Sequence, residues 1–289
     1  MPELPEVETV RSDLEQFVTG KKIIRIIIKR DFAKKVEPNA TRFVALLEGL
    51  ILHRVERQGK MLVLDFGKNK KVLAHLKMTG QFVFVSPDDI LSASGHPVNQ
   101  EVGRPMKYNK VHFDFGSSGQ LYYNDMRKFG YFKLVSDEEA ELEKKRFGIE
   151  PQTKLFTCKI FKEILVKRPN WEIKKFLLAQ DLIAGVGNIY ADESLFVAGI
   201  RGDRKVINLT DNEIRKLYLA IKRILIKAIK HRGTSVSDYV DGKGNKGGYA
   251  QFLKVYQQVG KKCFQCGKAK IQKTKLAGRG TSYCPNCQR

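Results

Sequence analysis

The chain has 289 residues, 42% of them hydrophobic, enough apolar content for one buried core or two smaller ones, so a folded protein of two domains is expected. Lysine and arginine total 53 against 31 aspartates and glutamates, a formal net charge of +22 that calls for a polyanionic partner. Each phosphate neutralised by a basic side chain releases condensed counterions, so nucleic acid is the default and an anionic membrane surface the competing reading. No apolar run approaches the roughly 18 residues of a membrane span, and the polar opening MPELPEVETV lacks a signal-peptide pattern. Both points argue against export and membrane insertion, and the expected location is cytoplasmic, or intracellular more generally.

Val7, Val10, Leu14, Phe17 and Val18 recur at helical spacing between Pro5 and Gly20, which predicts a short helix almost at the chain terminus. Segments rich in branched and aromatic residues follow at 23–30, 61–66, 71–76, 81–85, 111–115, 120–123 and 131–135, separated by Gly, Asn, Asp and Pro. They read as antiparallel strands of a sandwich or barrel, with one helix among them at 43–50. Ser136 and Glu139 stand at capping-box spacing, and Thr210 and Glu213 repeat it before a helix over 211–231. Further helical patterns cover 157–167, 171–180 and 188–198. In the last helix Ile214, Leu217, Ile221, Ile224, Leu225 and Ala228 share one face, and Lys216, Lys222, Arg223, Lys227 and Lys230 the other. That basic face reads first as a solvated surface and second as a nucleic-acid contact.

The expected fold class is therefore α+β and multidomain: an N-terminal domain over 1–136, a hinge over 137–151, a helical domain over 152–258 and a cysteine-bearing segment over 259–289. The glycine-rich stretch 233–248, with GKGNKGG, reads equally as a lid or as a plain connector.

Cys263 and Cys266 form one C-x-x-C pair, Cys284 and Cys287 another, and seventeen residues lie between the pairs. In a reducing compartment this spacing indicates a metal site rather than disulfides. Two such turns joined by a hairpin bring four thiolates onto one Zn2+, and a site with four thiolates leaves no position for water or substrate, so the zinc is expected to be structural. The intervening hairpin presents Lys268, Lys270, Lys273, Lys275 and Arg279 as a basic tip. The fifth cysteine, Cys158, reads as a small buried hydrophobe.

If Met1 is removed, Pro2 presents a secondary amine beside the carboxylate of Glu3. An α-amino group titrates at about 7.7 to 8.0, so a neutral, nucleophilic fraction exists near pH 7. In AGVGN the glycines permit a tight turn, and Asn188 opens a helix whose free N–H groups and positive dipole end attract phosphate.

PELPEVET at the amino terminus, HLKMTG (75–80), DMRKFG (125–130), QDLIAGVGNIYADE (180–193) and GRGTSYCPNCQ (278–288) closely resemble, in the same order, motifs of the formamidopyrimidine-DNA glycosylase family. The resemblance spans nearly the whole chain. It implies an N-terminal antiparallel β-sandwich with a terminal helix, a helical domain with a helix-two-turn-helix, and a four-cysteine zinc-finger β-hairpin. The implied activity is base excision repair of oxidised purines, 8-oxoguanine and formamidopyrimidines, followed by strand cleavage as an AP lyase. The partner is damaged double-stranded DNA, held in a cleft between domains by a monomer that uses neither a redox nor a nucleotide cofactor.

By the same resemblance, Pro2 is the Schiff-base nucleophile, Glu3 the proton-transfer acid and Glu6 a further acid of the active site. Lys60, Arg279 and Asn188 bind phosphate, with His75 and Tyr256 as further DNA contacts. Met78, Arg127 and Phe129 fill the gap left when the damaged base flips out. Leu4, where the related endonuclease VIII branch begins with Gly, points to the purine branch. Departures from the family are Ser282 in place of a common His, Ser237 where the lid usually has Arg, Gln257 for a frequent Gly, LLAQ for LLDQ, and an extra polar segment near 87–108. Two other readings compete: a non-enzymatic zinc-stapled binding protein, and an endonuclease VIII-type glycosylase acting on oxidised pyrimidines.

Overall fold

The computed structural model describes residues 1–88, 91–95, 108–234 and 247–289. It divides into two compact units, Met1–Lys145 with His231–Gly248, and Arg146–Lys230 with Tyr249–Arg289. Residues 231–248, read from sequence within the helical part, thus fall with the first unit; Ser237 and most of that stretch lie outside the described residues.

In the first unit the chain runs α1 (Leu4–Val18), β1 (Arg25–Ile28), β2 (Val36–Glu37), α2 (Ala40–Leu47), β3 (Arg54–Gln58), β4 (Met61–Asp65), β5 (Lys71–His75), β6 (Gly80–Val85), β7 (Leu91–Gly95), β8 (Asn109–Asp114), β9 (Gln120–Asp125), β10 (Tyr131–Val135) and α3 (Asp137–Lys145). The strands form two five-stranded sheets, ordered β1-β8-β9-β6-β7 and β2-β10-β5-β4-β3. Pairing is antiparallel, as expected, except between β2 and β10, which run parallel with Phe132 opposite Val36.

Inward residues of both sheets meet α1 in one core. Val7, Val10 and Leu14 pack there with Leu62, Leu64, Ala74, Phe82 and Val111, and Phe132 meets Tyr123 edge-on at 4.9 Å and Phe82 at 6.2 Å. Each such aliphatic or aromatic side chain taken from water contributes about 1.5–3 kcal/mol, so this shared face holds the layers together.

Helix α1 begins almost at the chain terminus, as expected, with Glu3 as its N-cap and Pro5 in its first turn. One reading needs correction. Helix α2 lies three residues earlier than the apolar pattern indicated, because Asn39 caps it by accepting the Arg42 N–H at 2.9 Å. Part of the polar 87–108 segment is strand β7, paired with β6 through Phe82 and Ser94; the rest, save residues 87, 88 and 108, lies outside the described residues. The Ser136–Glu139 box forms in both directions, at 2.8 and 3.1 Å.

The second unit contains α4 (Cys158–Leu165), α5 (Ile173–Leu178), α6 (Asn188–Ala198), α7 (Asp211–Lys230), β11 (Gln272–Leu276) and β12 (Arg279–Tyr283). Thr210 and Glu213 cap α7 reciprocally at 2.8 and 3.3 Å. Leu217, Ile221, Ile224, Leu225 and Ala228 of α7 are buried, whereas Cys158, at the first position of α4, is only partly so. Between α5 and α6 the chain turns through Gly185, at φ +92, and Gln180 fixes the turn. Its amide donates to the carbonyls of Leu178 and Val186 and its oxygen accepts the Gly185 N–H at 2.9 Å. The β11–β12 hairpin turns at Ala277 and Gly278, both at positive φ, the conformation of a two-residue type I′ connection. Among the described residues no helix is long and apolar enough to cross a membrane.

Candidate active site and nucleic-acid interface

In the first unit, Pro2, Glu3 and Glu6 are buried at the start of α1. The carboxylate of Glu6 accepts the Glu3 N–H at 2.8 Å through one oxygen and the Thr234 N–H at 2.8 Å through the other. A Cβ on Gly233 would come within 2.8 Å of Glu6 Oε1, so the segment 232–234 sits this close to the acid because Gly233 is bare and adopts φ +79. Arg232 anchors the same segment to Asp13 of α1 at 2.6 Å. Burial lowers the ammonium of Met1, the residue ahead of Pro2, below its ordinary value; Glu3 and Glu6 pull it back up, and Lys60 and Arg127 push it down. An amine lowered in this way has a larger neutral fraction near pH 7, the form that attacks an electrophile.

Lys60 follows Gly59 in the turn between β3 and β4 and is 5% exposed. Arg57 braces that turn by donating to the Gly59 carbonyl at 2.8 Å and pairing with Glu8 of α1 at 2.8 Å. His75 ends β5 and accepts the Lys77 N–H on Nδ1 at 3.0 Å. Burial, with Lys77 and Lys60 nearby, drives its pKa down to about 3, so the ring is a neutral imidazole at physiological pH.

Met78, Arg127 and Phe129 come from two different turns yet form one exposed cluster. Arg127 Nη1 lies 3.2 Å from Met78 Sδ, and its guanidinium stacks 4.7 Å from the Phe129 ring centroid. The sequence separates Met78 from Arg127 by 49 positions; pairing of β6 with β9 brings them together.

In the second unit, Asn188 opens α6 behind Gly187, which supplies no capping side chain, and donates to the Gly280 carbonyl at 3.0 Å. With Tyr256, Gln257, Val259, Lys273, Gly280 and Ser282 it lines a pocket of about 300 Å3, and Arg279 stands exposed at the adjoining start of β12. Two buried acids that sequence reasoning passed over hold this pocket. Lys174, wholly buried, pairs with Asp192 at 2.5 Å and donates to Gly280 O and Thr281 Oγ1, while Asp192 also accepts the Ser282 N–H at 2.9 Å. Glu193 accepts the backbone N–H groups of Lys254, Val255 and Tyr256 at 2.9 Å each at their closest, which fixes Tyr256. Both acids sit inside the quoted QDLIAGVGNIYADE run, in a helix whose polar residues gave no periodic signal of burial.

The sulfurs of Cys263, Cys266, Cys284 and Cys287 all lie within 4.8 Å of one another, with Cys263–Cys287 and Cys266–Cys284 at 3.8 Å. A tetrahedron with Zn–S arms of about 2.3 Å has edges of about 3.8 Å, so these four thiolates fit one Zn2+ and leave it no open position. The ion is structural. Phe196 of α6, Val255 and Ile271 pack against Cys263 and Cys284, so the finger shares a core with the helix that presents Asn188.

Fold and site together define a zinc-finger DNA glycosylase of base excision repair. Three family models match in succession: the formamidopyrimidine-DNA glycosylase N-terminal domain over residues 1–132, the H2TH domain of the same glycosylase over 147–240, and the zinc finger found in FPG and IleRS over 260–289. The formamidopyrimidine-DNA glycosylase of Pelotomaculum thermopropionicum is 38% identical over 293 residues, covering 100% of this chain and 99% of that protein. The Listeria monocytogenes enzyme is 39% identical over 291 residues and the full length of both chains. Among solved structures, Lactococcus lactis Fpg bound to abasic-site DNA superposes with a TM-score of 0.87 at 36% identity over 99% of each chain. MutM bound to DNA containing carbocyclic 8-oxo-G gives 0.87 at 37% identity over the full length of both. The chain belongs to the formamidopyrimidine-DNA glycosylase family.

Proposed function

We propose that the protein excises oxidised purines, 8-oxoguanine and formamidopyrimidines, from duplex DNA and then cleaves the strand, with Pro2 as nucleophile once Met1 is removed. The observation that carries this reading is the joint burial of Pro2, Glu3 and Glu6 at the amino terminus, with Lys60 and Arg127 near enough to act on the Met1 amine that adjoins Pro2. The Pro2 nitrogen attacks C1′ of the damaged nucleoside and the N-glycosidic bond breaks, the base leaving with a proton. Opening of the sugar ring, for which Glu3 transfers the proton, yields an iminium. This cationic electron sink acidifies the C2′ proton, and its loss expels the 3′-phosphate; a second elimination releases the 5′-phosphate and leaves a one-nucleoside gap.

Reaching the base requires extruding it from the stack, which costs a few kcal/mol. Met78, Arg127 and Phe129 fill the vacated space. Lys60, His75, Asn188, Tyr256 and Arg279 hold the backbone, and the zinc ion, bound by the four cysteines, keeps the Arg279 hairpin folded. In this reading residues 1–136 carry the chemistry, 137–151 join it to 152–258 and 259–289, which grip the duplex, and 233–248 form a lid. The protein acts as a monomer in the bacterial cytosol, where its cysteines stay reduced.

Borohydride trapping on a duplex with 8-oxoguanine opposite cytosine tests the proposal. The expected product is a covalent adduct on the Pro2 peptide. Tight binding with no adduct refutes the amine chemistry, and preferential trapping on thymine glycol assigns the enzyme to oxidised pyrimidines. A Glu3→Gln variant with full base-excision activity removes Glu3 from its role.

A further inference from the structure

Asp125 closes β9 opposite Gly80, the first residue of β6, and is wholly buried. One of its oxygens accepts from the Thr79 hydroxyl and, at 3.2 Å, from the Arg127 N–H. The other accepts the Gly130 N–H at 2.8 Å and the Tyr123 hydroxyl at 3.4 Å. Thr79 Oγ1 itself lies 3.1 Å from the Arg127 nitrogen, so that N–H is shared between the carboxylate and the hydroxyl. A single buried carboxylate therefore ties the turn that carries Met78 to the turn that carries Arg127 and Phe129. The ends of both turns are pressed onto the same spot: a Cβ on Gly80 would stand 2.6 Å from the Tyr123 hydroxyl, and one on Gly130 still closer. A second anchor lies outside the cluster. Lys128, between the two stacked side chains and at φ +54, pairs with Asp31 at 2.7 Å, and Asp31 also holds Lys110 at 2.7 Å.

We infer that Asp125, through Thr79, is a positioning residue for base extrusion, holding Met78, Arg127 and Phe129 as one preformed wedge. The inference rests on the proposed gap-filling role of those three side chains. Side chains that must enter a base stack do so at least cost when their turns are already ordered, because the entropy of ordering is then lost in folding rather than at the moment of insertion. A charged acceptor buried with four donors is rigid in this sense; the same turns held by solvent-exposed contacts alone are not.

The test compares two substrates. Excision of 8-oxoguanine from a duplex needs extrusion; borohydride trapping at an abasic site in a single-stranded oligonucleotide does not. Thr79→Val keeps the side-chain shape and removes the donor to Asp125. It is expected to slow single-turnover duplex excision about tenfold or more, the factor carried by one lost hydrogen bond to a charged acceptor, while single-strand trapping stays within about twofold of wild type, a difference of well under 1 kcal/mol. Thr79→Ser restores the duplex rate. Asp125→Asn shows the same selective loss, larger in size. An unchanged duplex rate in Thr79→Val overturns the inference, as does equal loss on both substrates. Phe129→Ala separates the two claims: if it slows duplex excision and Thr79→Val does not, the positioning role alone fails, and if it changes nothing, the wedge reading and this inference fall together.

Discussion

A Cβ on Gly130 would stand 1.8 Å from the Tyr123 hydroxyl, so the loop after Phe129 closes over that hydroxyl only because residue 130 has no side chain. Gly130→Ala must therefore displace Tyr123 or the loop, and overpacking of this kind costs about 1–3 kcal/mol. Removing the hydroxyl in Tyr123→Phe/Gly130→Ala recovers part of the loss. Denaturant unfolding of the three chains checks it, and a double variant no more stable than Gly130→Ala means that the hydroxyl is not the obstacle.

His75 gives the first unit a pH dependence of known sign. Its folded pKa of about 3 lies below the ordinary value of 6.5, so as pH falls below 6.5 the unfolded chain takes up the proton first. The stability owed to the neutral ring is complete above 6.5 and is lost as pH falls toward 3, on the order of 2 kcal/mol by pH 5. His75→Gln, whose amide oxygen accepts from the Lys77 N–H without titrating, has a shallower dependence in unfolding midpoints between pH 7 and 5. Equal slopes for the two proteins contradict the assignment.

The ion pair of Lys174 and Asp192 is sealed from solvent, both side chains being 0% exposed. Lys174→Met strands the buried Asp192 carboxylate, at a cost of about 3–5 kcal/mol. Because Gly280 adjoins Arg279 and accepts from Asn188, DNA affinity falls with it. Adding Asp192→Leu returns some stability, since no charge is then left unpaired. Calorimetric melting of the single and double variants decides; a single variant that melts with wild type means that the pair is dispensable.

Zinc content should be one ion per chain by atomic emission. Chelation, or Cys263→Ser, releases it and unravels the finger, because in small metal-bound modules the binding free energy is folding free energy. Affinity for duplex DNA is expected to drop while α1 and the two sheets keep their far-ultraviolet signature. DNA binding that survives complete loss of zinc takes the finger out of the interface.

Salt dependence separates charged from neutral contacts. Arg279→Ala is expected to reduce the slope of log K against log salt by about 0.9, the value for one phosphate contact. Asn188→Ala weakens binding without changing the slope, because its amide displaces no counterion. Equal slopes in wild type and Arg279→Ala rule out a direct ion contact by Arg279.

What the sequence determined by itself was local in origin. Runs of branched and aromatic residues between turn formers marked strands β1, β4, β5, β6, β8, β9 and β10, and serine and threonine caps marked where α3 and α7 begin, since these depend on neighbours a few positions apart. Two C-x-x-C turns and a basic hairpin announced the metal for the same reason. Strand β3 escaped because RVERQ lies at a sheet edge with little apolar pattern, and the Glu3 cap escaped because helical periodicity begins only at Val7.

Only the tertiary structure decided which of several like residues is buried. Lys174 and Lys175 are adjacent in one short helix, yet one is sealed against Asp192 while the other lies exposed, 4.3 Å from the ring of Trp171. Asp125 is one acid in a charged turn until sheet pairing across 45 residues sets it between Thr79 and Gly130. Burial of a charge depends on whether distant donors converge on it, and that convergence is a property of the packed layers that no sequence window contains.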